Sequence, residues 1–139
     1  MKRLIPLPFI CLLLIFSISC RKAIEKKKQE MLLNAITDGK WVVEQYLEGA
    51  TNVTGDFEDY DFQFFKDGKV TGFNTGGSTD GTWEGDISNY SILSQFPTAT
   101  NPVKRLNGTW KIKDSDWDYV EAEMNTSTGK NILHLRKEP

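Results

Sequence analysis

From residue 39 onward the chain consists of short runs in which apolar and polar residues alternate, separated by Gly, Asp, Asn and Ser. A period of two, with many aromatic and β-branched residues, is typical of β-strands that bury one face. The connections, such as Lys66-Asp67-Gly68, have the length of hairpin turns. Eight strands are predicted, over residues 40–47, 59–65, 69–74, 81–86, 90–96, 106–113, 119–124 and 131–137.

Consecutive hairpins form an antiparallel meander, and a meander of eight strands can close on itself and remove both of its edges. The predicted fold class is therefore all-β, an eight-stranded antiparallel up-and-down barrel. A β-sandwich built from the same strands is the alternative. It needs a longer crossover between two sheets, and residues 97–103, which contain Pro97 and Pro102, are the one candidate segment.

Seven aromatic residues are candidates for the interior of this barrel. A barrel of eight strands has room either for packed side chains or for one small ligand, so each aromatic residue is predicted to fill the core or to line a ligand site. The seven residues are Trp41, Phe62, Phe64, Trp83, Tyr90, Phe96 and Trp110.

The chain before residue 39 has a different pattern. Residues 1–19 combine a basic start, an apolar run at 9–18 and small residues before Cys20, which predicts a cleaved export signal. Residues 20–38 follow as a basic segment that is either a short helix or a flexible tether, ended by Asp38-Gly39. The predicted barrel domain occupies residues 39–139.

The net charge of −2 conceals an asymmetry. The segment after Cys20 contains Arg21, Lys22 and a run of three lysines at 26–28, whereas residues 37–139 carry ten Lys or Arg against seventeen Asp or Glu. Nucleic-acid binding requires clustered basic residues. The excess of acidic residues over 37–139 therefore argues against a nucleic-acid partner.

The sequence offers no recognisable catalytic or metal-binding motif. The run that begins Asp114-Ser115-Asp116 starts like a calcium loop, but Tyr119 stands where the sharp turn requires glycine. His134 is the single histidine, and no Gly-x-Ser-x-Gly elbow surrounds a serine. We therefore expect no catalytic residues, no metal and no cofactor, and a protein that is not an enzyme.

The box Ser17-Ile18-Ser19-Cys20 resembles that of bacterial lipoproteins. The resemblance implies that Cys20 becomes the N-terminus and carries fatty acyl chains such as palmitate, which anchor the protein to a membrane of the cell envelope. Arg21 stands where an aspartate often marks inner-membrane retention, which implies the outer membrane. Ser17 and Ser19 also satisfy ordinary signal peptidase, so a secreted protein with a free Cys20 is the alternative.

Gly39-Lys40-Trp41 opens the first predicted strand and Arg136 lies in the last, an arrangement that resembles the lipocalin family. The stretch from Phe64 to Val70, followed by Gly81-Thr82-Trp83, is similar to small lipocalin-like lipoproteins of Gram-negative bacteria. The resemblance implies an eight-stranded barrel in which Arg136 packs across the indole of Trp41.

Two functions follow as expectations. In the first, the lipid-anchored barrel binds a small apolar or amphipathic ligand in the cell envelope. In the second, the barrel is filled by its own side chains and acts as an interaction or structural module of an envelope assembly, with no ligand. The sequence does not identify a protein partner.

Overall fold

A computed structural model describes the backbone from Leu7 to Pro139 and the side chains from Cys20 onward. The predicted export signal, residues 1–19, therefore lies outside the part of the chain whose side chains are described. The described residues fall into two compact units, which are divided between Leu32 and Leu33.

An α-helix, α1 (Leu7–Thr37), precedes the strands. Residues 21–36 are thus helical, which decides between the helix and the flexible tether predicted for them. Gly39 follows with φ of +76°, a left-handed conformation that ends helices and favours glycine. No helix within the described residues is long and apolar enough to span a bilayer.

The rest of the chain forms one antiparallel sheet of nine strands. The two-residue β2 pairs with the end of β1, and the other eight strands form a meander in which β1 pairs with both β3 and β9. These pairings close the sheet, so the predicted eight-stranded antiparallel barrel is confirmed. The strands are β1 (Trp41–Glu48), β2 (Thr51–Asn52), β3 (Asp61–Phe64), β4 (Lys69–Asn74), β5 (Gly77–Asp86), β6 (Ser91–Gln95), β7 (Gly108–Asp116), β8 (Tyr119–Thr126) and β9 (Gly129–Lys137).

The β-sandwich alternative is wrong, because β6 and β7 are hydrogen-bonded neighbours in the same sheet. The segment between them does not carry the chain to a second sheet. It contains a short 3-10 helix, Val103–Leu106, whose Val103 and Leu106 side chains are buried. The strand predicted over residues 106–113 therefore begins two residues later than predicted, at Gly108, and Leu106 belongs to the 3-10 helix instead.

This segment closes one end of the barrel. The hydroxyl of Tyr46, on β1, donates a 2.7 Å hydrogen bond to the carbonyl oxygen of Arg105. Because β1 and β7 are not neighbours in the sheet, the contact joins the connection before β7 to a distant strand. The guanidinium of Arg105 also bonds Glu48 at 2.8 Å and Asp56 at 2.9 Å, and Asp56 belongs to a second 3-10 helix, Thr54–Phe57.

Glycines on the inner face make room for aromatic rings. A Cβ atom at Gly72 would lie 2.9 Å from the ring of Phe62, and one at Gly81 would lie 2.7 Å from the ring of Phe96. Both phenylalanines are almost fully buried. The barrel therefore packs its large side chains against bare backbone on neighbouring strands.

Candidate functional site: an apolar cavity in the barrel

The barrel contains an apolar cavity with a volume of about 50 Å³. The aromatic residues Phe62, Phe64, Phe96 and Trp110 form part of its wall. The remaining lining residues are aliphatic except for one serine, and are Ile92, Ser94, Leu106, Ile112, Val120, Ala122, Leu133 and Leu135. No charged side chain lines the cavity, so it is suited to apolar groups.

The cavity has a buried floor and an open side. Leu106, Phe96 and Trp110 are buried at the end that the 3-10 helix Val103–Leu106 closes. Four other lining residues, Phe64, Ile92, Ile112 and Leu135, are only partly buried, and the cavity is open to solvent where they lie. A ligand would therefore enter past aliphatic and aromatic side chains.

Hydrogen bonds of buried aromatic residues hold the floor in place. The indole nitrogen of Trp110 donates to the carbonyl oxygen of Leu106 at 2.9 Å. The ring of Tyr46 packs edge-on against Trp110 with 5.8 Å between centroids, and it stacks on Phe57 at 5.4 Å. Burial of Tyr46 raises the pKa of its hydroxyl to about 12, so the hydroxyl stays protonated and able to donate to Arg105.

The seven predicted aromatic residues divide into three groups. Phe62, Phe64, Phe96 and Trp110 line the cavity. Trp41 and Trp83 are buried but are not part of its lining; the indole nitrogen of Trp83 donates to the carbonyl oxygen of Phe65 at 2.9 Å. Tyr90 forms the third group by itself.

Tyr90 does not face the interior, which corrects the prediction for this residue. Its side chain is 60% exposed and its φ is +48°. The residue ends a tight turn, in which its backbone nitrogen bonds the carbonyl oxygen of Ile87, and β6 begins only at Ser91. The prediction that Tyr90 points inward assumed that strand alternation extends to this residue, and the turn breaks that alternation.

The predicted pair of Trp41 and Arg136 is also wrong. In the register of β1 and β9, Trp41 lies opposite Lys137, whereas Arg136 lies opposite Val42 and so points to the other face. The Lys137 ammonium lies 5.0 Å from the centre of the Trp41 ring and donates to the carbonyl oxygen of Ala35 at 3.0 Å. A lysine thus takes the place over the indole that the resemblance gave to an arginine.

Arg136 belongs to a polar cluster on the outer face of the barrel. Its guanidinium lies 5.1 Å from the centre of the Tyr119 ring and bonds Glu44 at 2.9 Å. The Tyr119 hydroxyl donates to Glu121, and this hydrogen bond to a carboxylate raises the pKa of Tyr119 to about 12. His134 Nε2 lies 3.4 Å from the same carboxylate. Since these groups pair with one another on a sheet surface, they stabilise neighbouring strands and form no concave site.

The candidates named from the sequence were all aromatic, so the eight other lining residues were not among them, and Ser94, Val120 and Ala122 were the least recognisable of these. All three lie on strands whose alternation was recognised, and Ser94 lies between Ile92 and Phe96 on the inner face of β6. The period of two places these three residues on the inner face. Small or polar side chains, however, do not by themselves indicate that a position is buried. Within the part of the chain that the structure describes, no three His, Cys, Asp or Glu side chains come together as a potential metal site.

This fold is similar to that in the crystal structure of a DUF4847 family protein from Bacteroides vulgatus. It has a TM-score of 0.55 and 16% identity, and the match covers 75% of this chain and 96% of that protein. At this identity the likeness shows a shared fold alone. No protein-family model matches the sequence, and no curated protein matches it.

Proposed function

We propose that this protein is a lipid-anchored protein of the cell envelope whose barrel binds a small apolar or amphipathic molecule. The observation that supports ligand binding is the cavity, which is lined by apolar side chains and open to solvent on one side. Apolar walls favour the uptake of apolar groups, because binding removes apolar surface of both the wall and the guest from water. The proposal includes no reaction and no cofactor.

The size of the cavity restricts what it can hold. Its volume is about 50 Å³, whereas an apolar cavity of about 150 Å³ accommodates benzene. A bulky ring system would therefore not fit without displacing side chains. A narrow group, such as the end of an alkyl chain, fits with its remainder extending past Phe64 and Leu135.

Filling the cavity tests ligand binding. In the Ala122→Leu variant the larger side chain occupies the cavity, and we expect the uptake of cis-parinaric acid, a narrow fluorescent fatty acid, to fall at least tenfold. Thr109→Leu is the matched control, because Thr109 is exposed on the outer face of β7. Thermal denaturation checks that both variants are folded, since overpacking costs about 1–3 kcal/mol. Equal uptake by the parent protein and a folded Ala122→Leu variant would refute binding in the cavity.

The proposal for anchoring rests on the sequence box that ends in Cys20, whose side chain is exposed. One acyl chain gives only marginal membrane binding, whereas two or three hold a protein durably, at about 0.8 kcal/mol per buried methylene. Arg21 and Lys22 add attraction to anionic headgroups, at about 1 kcal/mol each near the surface.

Substitution of the two cysteines tests anchoring. We expect Cys20→Ser to abolish incorporation of an alkyne-labelled palmitate in cells and to release the protein from the membrane fraction. Cys11→Ser removes the other cysteine of the chain and should change neither result. A Cys20→Ser protein that is still labelled and sediments with membranes would show that the attachment lies elsewhere.

The packing of the interior favours a second candidate function, that of a filled barrel that acts as an interaction or structural module. Five aromatic side chains in the core are almost fully buried, namely Trp41, Tyr46, Phe57, Phe62 and Phe96. Native mass spectrometry of the protein purified from cells separates the two functions. A bound small molecule supports the first, and a uniformly unliganded protein that also excludes cis-parinaric acid supports the second.

A further inference from the structure

Two apolar side chains of α1 are exposed on the same side of the helix. Ile24 is 56% exposed and Met31 is 49% exposed, whereas Ile36, in the last turn of the helix, is 4% exposed and belongs to the core. Residues seven positions apart are separated by only about 20° around a helix axis, so Ile24 and Met31 lie nearly in line. About half of each residue is therefore open to a partner outside the chain.

Basic residues flank this apolar line. At about 100° per residue, Lys27 and Lys28 lie on either side of Ile24, about 60° and 40° from it around the helix. Arg21 lies about 60° from Ile24, on the same side as Lys28. We call this side of the helix the basic face, and it consists of Arg21, Ile24, Lys27, Lys28 and Met31.

The basic face carries positive charge without acidic neighbours. The two glutamates of this part of the helix, Glu25 and Glu30, lie about 100° and 120° from Ile24 and so belong to the other half of its circumference. In the described part of the chain, the ion pairs include none of the three basic residues of the face. The face is therefore complementary to an anionic surface.

An apolar line flanked by lysine and arginine is typical of helices that lie in the interface of a membrane. The apolar side chains enter the boundary between headgroups and acyl chains, and the long basic side chains reach the lipid phosphates. A nucleic acid offers phosphates but no hydrocarbon region for Ile24 and Met31. A second copy of the face would bring like charges together, which is repulsive.

We propose that the basic face binds an anionic membrane surface, with Ile24 and Met31 at the boundary between headgroups and acyl chains. This inference rests on the proposed anchoring at Cys20, which lies four residues before Ile24 and would bring the face to a membrane. It assigns the segment after Cys20 a binding role in place of that of a spacer. Binding by the face does not itself require acyl chains, so it can be measured without them.

Vesicles of two compositions test this proposal on the non-lipidated chain from residue 20, with Cys20→Ser. Sedimentation in about 0.1 M salt, where charges more than about 10 Å apart are largely screened, measures the partition coefficient. We expect phosphatidylcholine vesicles that contain about one third phosphatidylglycerol to bind the chain at least tenfold more strongly than phosphatidylcholine alone. Lys28→Glu should weaken this binding at least fivefold, a loss of about 1 kcal/mol for one basic residue near the surface.

Lys26→Glu is the matched control. It makes the same change of charge two residues away, but Lys26 lies about 160° from Ile24, on the opposite side of the helix. It should weaken binding less than twofold. Ile24→Ser changes no charge and should weaken binding at least threefold, because it removes an apolar side chain from the face.

Equal effects of Lys26→Glu and Lys28→Glu, or equal binding to the two kinds of vesicle, would refute the proposal. So would a dimer in analytical ultracentrifugation without vesicles that Ile24→Ser dissociates, since the face would then bind a second copy. The anchoring proposal fails separately, when palmitate does not label Cys20 although the face binds the anionic vesicles.

Discussion

Replacing Trp41 by alanine is expected to lower the free energy of unfolding by about 3–5 kcal/mol, the usual loss for a large buried aromatic side chain. The side chain is 1% exposed, and its indole nitrogen donates a 2.9 Å hydrogen bond to the carbonyl oxygen of Ile36 at the end of α1. Lys137 covers the ring from β9. The substitution thus removes the contact that joins the start of β1, the last turn of α1 and the end of β9.

Urea denaturation followed by far-UV circular dichroism measures this loss. Trp117→Ala is the control, since Trp117 lies in the β7–β8 turn and is 54% exposed; it should change the free energy by no more than about 0.5 kcal/mol. Equal and small effects of the two substitutions would show that Trp41 is not a central part of the core.

A second large loss of stability is expected when Gly81 is replaced by alanine. An added Cβ would lie 2.4 Å from the backbone oxygen of Gln95 and 2.7 Å from the Phe96 ring, and the backbone cannot yield without parting β5 from β6. We expect Gly81→Ala to destabilise the barrel by about 3 kcal/mol, the upper end of the range for overpacking. Since Phe96 lines the cavity, the same variant should also lose cis-parinaric acid binding at temperatures where it remains folded.

Gly55→Ala provides the control for this prediction. A Cβ at Gly55 would meet nothing within 4 Å, and its φ is outside the left-handed region. The control should therefore unfold at the same urea concentration as the parent protein. A Gly81→Ala protein as stable as the control would mean that the β5–β6 contact is looser than the distances indicate.

The barrel could be predicted from the sequence because its strands are joined by short turns and alternate cleanly. Phe62 and Phe64 on β3, and Trp110 and Ile112 on β7, fall on one face by period alone, and all four line the cavity. The pairing of β1 with β9, which closes the barrel, was predicted from the number of strands and not from any particular residue.

The errors arose where the backbone departs from regular pairing. The register of β1 against β9 shifts between Val43 and Gln45, so the buried residues of β1 are Trp41, Val43 and Tyr46. Strict alternation from Trp41 would instead place Gln45 inside, which explains why Tyr46 was not recognised as a core residue. Tyr90 was misplaced for a related reason, since a turn precedes Ser91.

The floor of the cavity could not have been predicted from local pattern. It depends on contacts between Tyr46 and Arg105, which are 59 residues apart, and between Arg105 and Asp56, which are 49 apart. Periodicity reports which face of a strand is buried, but it does not report which loop crosses the end of a barrel. The position of Lys137 over Trp41 likewise depends on the register of β1 against β9, which cannot be read from the sequence.

The proposed function requires an apolar space inside the barrel that accepts a ligand from solvent, and a crystal structure under xenon pressure tests this requirement most directly. We expect a xenon atom bound among Phe64, Ile92 and Leu135 in the parent protein, and no xenon at this place in Ala122→Leu. A parent structure without xenon, with the aromatic and aliphatic side chains closed over this space, would contradict the proposed ligand binding.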